Sequence, residues 1–183
     1  MPLISLAEAK AQLNLGGTVD DDELQAYIDG VTAPIENLVG VVEEREIVET
    51  VTARGTIIAL NKTPALALVS ISPQLDTGSG FDVTVLHLDG PAGIVRRRDG
   101  GQFCGGPWTV TYTAGRAEVP ATIKLAARML VQHLWRTQTA TRGPVLAGGD
   151  DYSVNEPVPG FGYAIPNRVL QLLEPYRLPP AVA

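Results

Sequence analysis

The sequence predicts an α+β fold: a small α-helical bundle with an inserted antiparallel β-sheet and an extended C-terminal arm. Three observations predict it. Apolar residues recur at helical spacing at both ends of residues 1–137, the period falls to two between them, and glycine and proline crowd the stretch that follows. The body therefore spans 1–137, with helices in 1–40 and 118–137 around a β insertion at 41–115, and the arm spans 138–183.

Ser5-Leu6-Ala7-Glu8 is a capping box, in which a serine oxygen takes an early helix amide and a glutamate reaches back; it opens a short helix that ends near Gly16-Gly17. Asp20 to Glu23 repeats the signal. Leu24, Tyr27, Ile28, Val31, Ile35, Leu38 and Val39 then share one face of a second helix running to Gly40, with a bend, or an end and restart, expected at Pro34. Past Gly40, Phe81, Val83 and Val85 alternate with polar residues, as do Trp108, Val110 and Tyr112, so both runs read as half-buried strands. Shorter strands are expected at 47–53, 56–60, 66–72 and 94–98, punctuated by Arg54-Gly55, Gly78-Ser79-Gly80, Asp89-Gly90 and Asp99-Gly100. Pro120 suits the first turn of a third helix, reaching about Thr137, whose stripe is Ile123, Ala126, Ala127, Leu130, Val131 and Leu134. The arm's one helical pattern is a short helix near 166–173, too short to stand alone and in need of a surface.

Composition removes several classes of function. The chain has 183 residues, 45% of them hydrophobic and 19% charged, enough to bury a core. One cysteine excludes an internal disulfide framework, and with two histidines it cannot build a common structural zinc site without carboxylates. No apolar run reaches membrane-spanning length, and the first fifteen residues lack a basic start and apolar core, so neither a membrane span nor a signal peptide is expected. Net charge is −6, and residues 1–50 hold eleven acids against two bases. That balance argues against wrapping nucleic acid with the whole surface.

No catalytic pattern is legible. His87 and His133 lie 46 residues apart without metal-ligand spacing, the run Asp20-Asp21-Asp22-Glu23 lacks the calcium-loop pattern, and the glycine pairs around Cys104 match no phosphate-binding loop. Arg96-Arg97-Arg98 is the dense basic cluster, either a solvated strand end or a contact for DNA or an acidic partner. Two helix faces stand outside the core stripes. Asp22, Asp29 and Glu36 recur every seven residues as an acidic ridge, while Lys124, Arg128, Gln132, Trp135 and Arg136 form a basic face carrying a tryptophan. One acidic and one basic face suit a head-to-tail contact that closes a ring; the alternative is that both are solvated or pair within one molecule.

The order of these features resembles the phage head-tail connector proteins, also called adaptor or head completion proteins, of long-tailed double-stranded-DNA phages. The resemblance is carried by residues 3–10, 20–24 and 35–40 for the N-terminal helical pair, 108–115 leading through Val119-Pro120 into 123–135, and Gly160-Phe161-Gly162-Tyr163-Ala164-Ile165-Pro166 in a tail similar to actinophage-like members. It implies a structural virion protein without catalysis, cofactor or metal. That protein forms a ring, usually of twelve copies, between the portal and the tail, present in the host cytoplasm during assembly. The ring continues the DNA channel for genome retention and ejection, letting DNA pass without sequence-specific binding and touching no membrane. The arm would bind the portal protein through Tyr163, Ile165, Leu170, Leu173 and Tyr176, and the opposite face would receive the next tail-proximal ring. An acidic lumen would repel phosphates within a Debye length of about 10 Å at 0.1 M salt. The rivals are a tail-completion or stopper protein one layer further down, a small hydrolase with a pocket near His87 or Cys104, and a DNA-binding module centred on Arg96 to Arg98.

Overall fold

The computed structural model describes residues 2–75, 79–104, 106–139 and 165–178. They divide into two compact units, a helical one from residues 1–39 and 120–183 and a β unit from residues 40–119. The fold class is α+β, as the periodicities predict.

In the helical unit, α1 (Leu6–Leu13) starts on the expected capping box: the Glu8 amide donates to Ser5 Oγ at 3.2 Å, and the Ser5 amide donates back to Glu8 Oε2 at 2.8 Å. It stops earlier than Gly16, because Asn14 takes the left-handed conformation at φ 57°. α2 (Asp21–Val39) carries Asp21, Asp22 and Glu23 in its first turn, where the helix dipole favours them, and ends at Gly40, whose φ of 78° suits a residue without Cβ. Pro34 neither ends nor restarts it. The carbonyl that Pro34 leaves without a partner belongs to Gly30, which is exposed, so water can serve it. Leu24, Ile28, Val31, Ile35 and Val39 are buried; each is worth roughly 1.5–3 kcal/mol, against about 1 for a cap, so the stripe decides where this helix lies.

α3 (Ala121–Thr139) packs against α1 and α2, and α4 (Asn167–Leu173) packs on α3 and α2. α4 lies where the short helix is expected. Val169 and Leu173 are its buried residues, a 3-10 turn (Glu174–Tyr176) follows, and the Leu178 amide donates to the Leu38 carbonyl at 3.1 Å, so the helix finds its surface within its own unit.

The β unit holds two antiparallel three-stranded sheets where one is expected. β1 (Arg45–Val51), β6 (Trp108–Ala114) and β3 (Ala65–Pro73) form the first in the order β1-β6-β3, and β2 (Ile57–Ala59), β5 (Ile94–Arg97) and β4 (Leu86–Asp89) form the second in the order β2-β5-β4. Their inner faces share one core of Val51, Ile58, Ile71, Leu86, Val95, Trp108, Val110 and Tyr112. β3 carries two register shifts, between Ala65 and Ala67 and between Leu68 and Ser70. Gly115, just after β6, has φ 124°, and a Cβ there would overlap the Glu43 carbonyl oxygen; only glycine fits.

One expected strand is corrected. Residues 81–85 alternate, yet Val83–Val85 is a 3-10 turn, because Asp82 Oδ1 accepts the Thr84 amide at 2.9 Å and turns the backbone; only Phe81 bridges to Ile71.

Candidate interaction surfaces

The acidic ridge survives folding in part. Asp22 and Asp29 are exposed, Gln25 donates to Asp29 Oδ1 at 2.9 Å, and Glu36 is half-buried.

The basic face of α3 differs from the expectation. Trp135 is only 8% exposed and meets Tyr27 of α2 edge-on, with ring centroids 6.0 Å apart and planes at 87°, so the exposed anchor is corrected to a helix–helix contact. Trp135 follows Val131 by four residues, a displacement of only about 40° around a helix. Because α3 has neighbours on several sides, its buried arc is wider than its apolar stripe. Lys124 and Arg128 are half-buried, and Gln132 accepts a hydrogen bond from Gln12 of α1 at 3.1 Å. The Glu8 carboxyl is held below its ordinary pKa, first by the Ser5 amide, then by the Ser5 hydroxyl, with the charges of Lys124 and Arg128 adding. Much of this face is therefore spent inside the subunit, the alternative the sequence left open, while Arg136 is exposed.

The arginine run is also largely engaged. Arg97 pairs with Asp99, donates to the Gln102 carbonyl at 3.0 Å, and lies 5.1 Å from the centre of the Phe81 ring. The Asp99 hydrogen bond, ahead of its charge, raises the Arg97 pKa, and the same bond, with the Gly101 amide, lowers that of Asp99. Arg98 Nε donates to the carbonyls of Thr84 and Leu86 at 3.1 and 2.9 Å, tying the strand end to the 3-10 turn. Arg96 is exposed, opposite Ile57 on one side and His87 on the other.

Of the arm residues, Tyr163 lies outside the described residues, Ile165, Leu170 and Tyr176 are half-buried, and Leu173 is buried at 2% exposure. His87, His133 and Cys104 are exposed.

Sequence reasoning missed the outer face of the β1-β6-β3 sheet. The ladder sets Glu46, Thr113 and Ala67 in one row, Val48, Thr111 and Ser70 in the next, and Thr50, Thr109 and Ser72 in a third. Val48 is 62% exposed, and Leu66 and Val69, displaced by the register shifts, are 43% and 50% exposed. The signal was in the alternation of 45–51, where a valine falls on the polar phase.

The family model of head completion proteins matches residues 2–178. The chain belongs to the head completion protein family. It is a structural protein of a virion, of the head-tail connector kind. Among solved structures it is similar to a chain in the neck of an empty gene transfer agent particle computed with C6 symmetry, at TM-score 0.66 and 16% identity over 99% of this chain and 92% of that one. A chain in the neck of the native particle, computed with C12 symmetry, matches at 0.66 and 17% over 97% and 90%. A chain of the native gene transfer agent virion matches at 0.62 and 17% over 99% and 92%. At such identities the likeness concerns the fold. No curated protein matches the sequence.

Proposed function

We propose that this head completion protein assembles into a ring of twelve between the portal and the tail, continuing the DNA channel for genome retention and ejection, with no bond-making chemistry of its own. The carrying observation is the pairing of a family match over residues 2–178 with a shared fold in particle necks computed with C12 and C6 symmetry. A ring in which each copy meets two neighbours needs two different patches per subunit. Asp22, Asp29 and Arg136 remain exposed for partner contacts. Residues 138–183 bind the portal, with Tyr163, Ile165, Leu170 and Tyr176 as anchors, while Leu173 serves the helical unit instead. The next tail-proximal ring takes the opposite side.

Mass measurement in solution tests the reading, made on the protein alone and mixed with portal rings. A twelvefold species in either sample is the expected result. A chain that stays monomeric in both would overturn it.

A further inference from the structure

The two sheets share one core between their inner faces, which leaves two outer faces on opposite sides of the β unit. On the β1-β6-β3 side, Glu46 stands beside Val48 among threonines and serines. On the β2-β5-β4 side, Arg96 and His87 are exposed beside Ile57 and Ile94, both half-buried; Asp89, the acid on that face, accepts the Ala92 amide at 3.4 Å. Among the described residues, neither Glu46 nor Arg96 has an ion pair or side-chain hydrogen bond within the chain, in contrast to Arg97 and Arg98. Each face thus joins apolar surface to an exposed charge without an ion-pair partner, Glu46 on one and Arg96 on the other, the second face also holding the half-buried Asp89 carboxylate.

We propose that neighbouring copies of this chain meet through these faces, the outer face of the β1-β6-β3 sheet of one copy receiving the outer face of the β2-β5-β4 sheet of the next, with Glu46 against Arg96. The proposal rests on the ring reading above and names its contact. Two β1-β6-β3 faces would set Glu46 against Glu46 with no cation to meet it, whereas the unlike pairing offers it Arg96, so the charges favour the unlike pairing. A pairing of unlike faces leaves one of each free at the ends, and addition continues until the chain of subunits closes. Exposed charge pairs supply register more than strength, which comes from the apolar surface around Val48, Ile57 and Ile94.

Cross-linking tests it. In a Cys104→Ser background, Glu46→Cys and Arg96→Cys are introduced singly and together, and a short bifunctional maleimide is added. The double variant is expected to give a ladder of covalent multimers, and each single variant only monomer. Dimers from a single variant would show like faces meeting and overturn the proposal. A ring by mass that yields no ladder would overturn this contact and leave the ring standing, whereas a monomer under all conditions, portal rings included, would overturn both. Charge exchange gives a second readout: Glu46→Arg or Arg96→Glu alone should weaken self-association about tenfold, and the two together should restore most of it. All these positions are exposed, so circular dichroism should be unchanged.

Discussion

Tyr112 is among the largest fully buried side chains, and its hydroxyl ties β6 to the loop after β2. It donates to Glu49 Oε1 at 2.8 Å and accepts the Lys62 amide at 3.1 Å, while Glu49 also takes the amide and side chain of Asn61 at 2.9 and 2.8 Å. Burial, followed by the Glu49 hydrogen bond and charge, pushes the phenol well above its ordinary pKa. The folded state thus favours the neutral phenol. Its contribution is complete below the unfolded value of about 10 and is lost as pH rises beyond it. Tyr112→Phe should cost about 1–3 kcal/mol in urea unfolding at neutral pH, since the Lys62 amide loses an acceptor and the Glu49 carboxylate loses one of its donors. The variant should also lose less stability than wild type between pH 9 and 11. Equal alkaline slopes would assign that loss to other groups.

Among the elements, α4 shows how a segment read as an arm serves the fold. Val169 and Leu173 are buried, so removing residues 166–183 uncovers apolar surface on the helices beneath. The truncated protein is expected to lose several degrees in thermal melting, in addition to any loss of portal binding. An unchanged melting temperature would show the docking to be energetically idle. Elements governed by local chemistry were legible from sequence: the Ser5 and Glu8 cap, the α2 stripe and the Trp108 to Tyr112 alternation all appear as expected. The turn at 83–85 was not, because one aspartate side chain outweighs an alternation that is itself present. Trp135 was not legible for a different reason: which flanks of α3 have neighbours depends on tertiary packing that no single-helix projection contains.

For the molecule as a whole, the charge distribution bears on the genome. A chain of net charge −6, with Arg97 and Arg98 engaged internally, offers few cations to release counterions from phosphate. Gel-shift assays with duplex DNA at 0.1 M salt are expected to show no retention. Retention that falls steeply with salt and disappears in Arg96→Ala would point to the DNA-binding rival. The family was legible because it resides in the order of elements, which short patterns at 3–10, 20–24 and 108–115 preserve. The contact faces were less so. They arise from pairing β1 with β6 and β2 with β5, register relations between residues far apart in the chain.

The register shifts in β3 have a consequence for a protein made in many copies. A straight outer strand offers its unpaired amides and carbonyls to any passing chain, the first step toward fibrils. Here the shifts break the hydrogen-bonding rhythm along one border of the β1-β6-β3 sheet, and the Phe81 bridge to Ile71 occupies part of it. The β1 border stays regular, so strand addition through this sheet is favoured at that border over the β3 one.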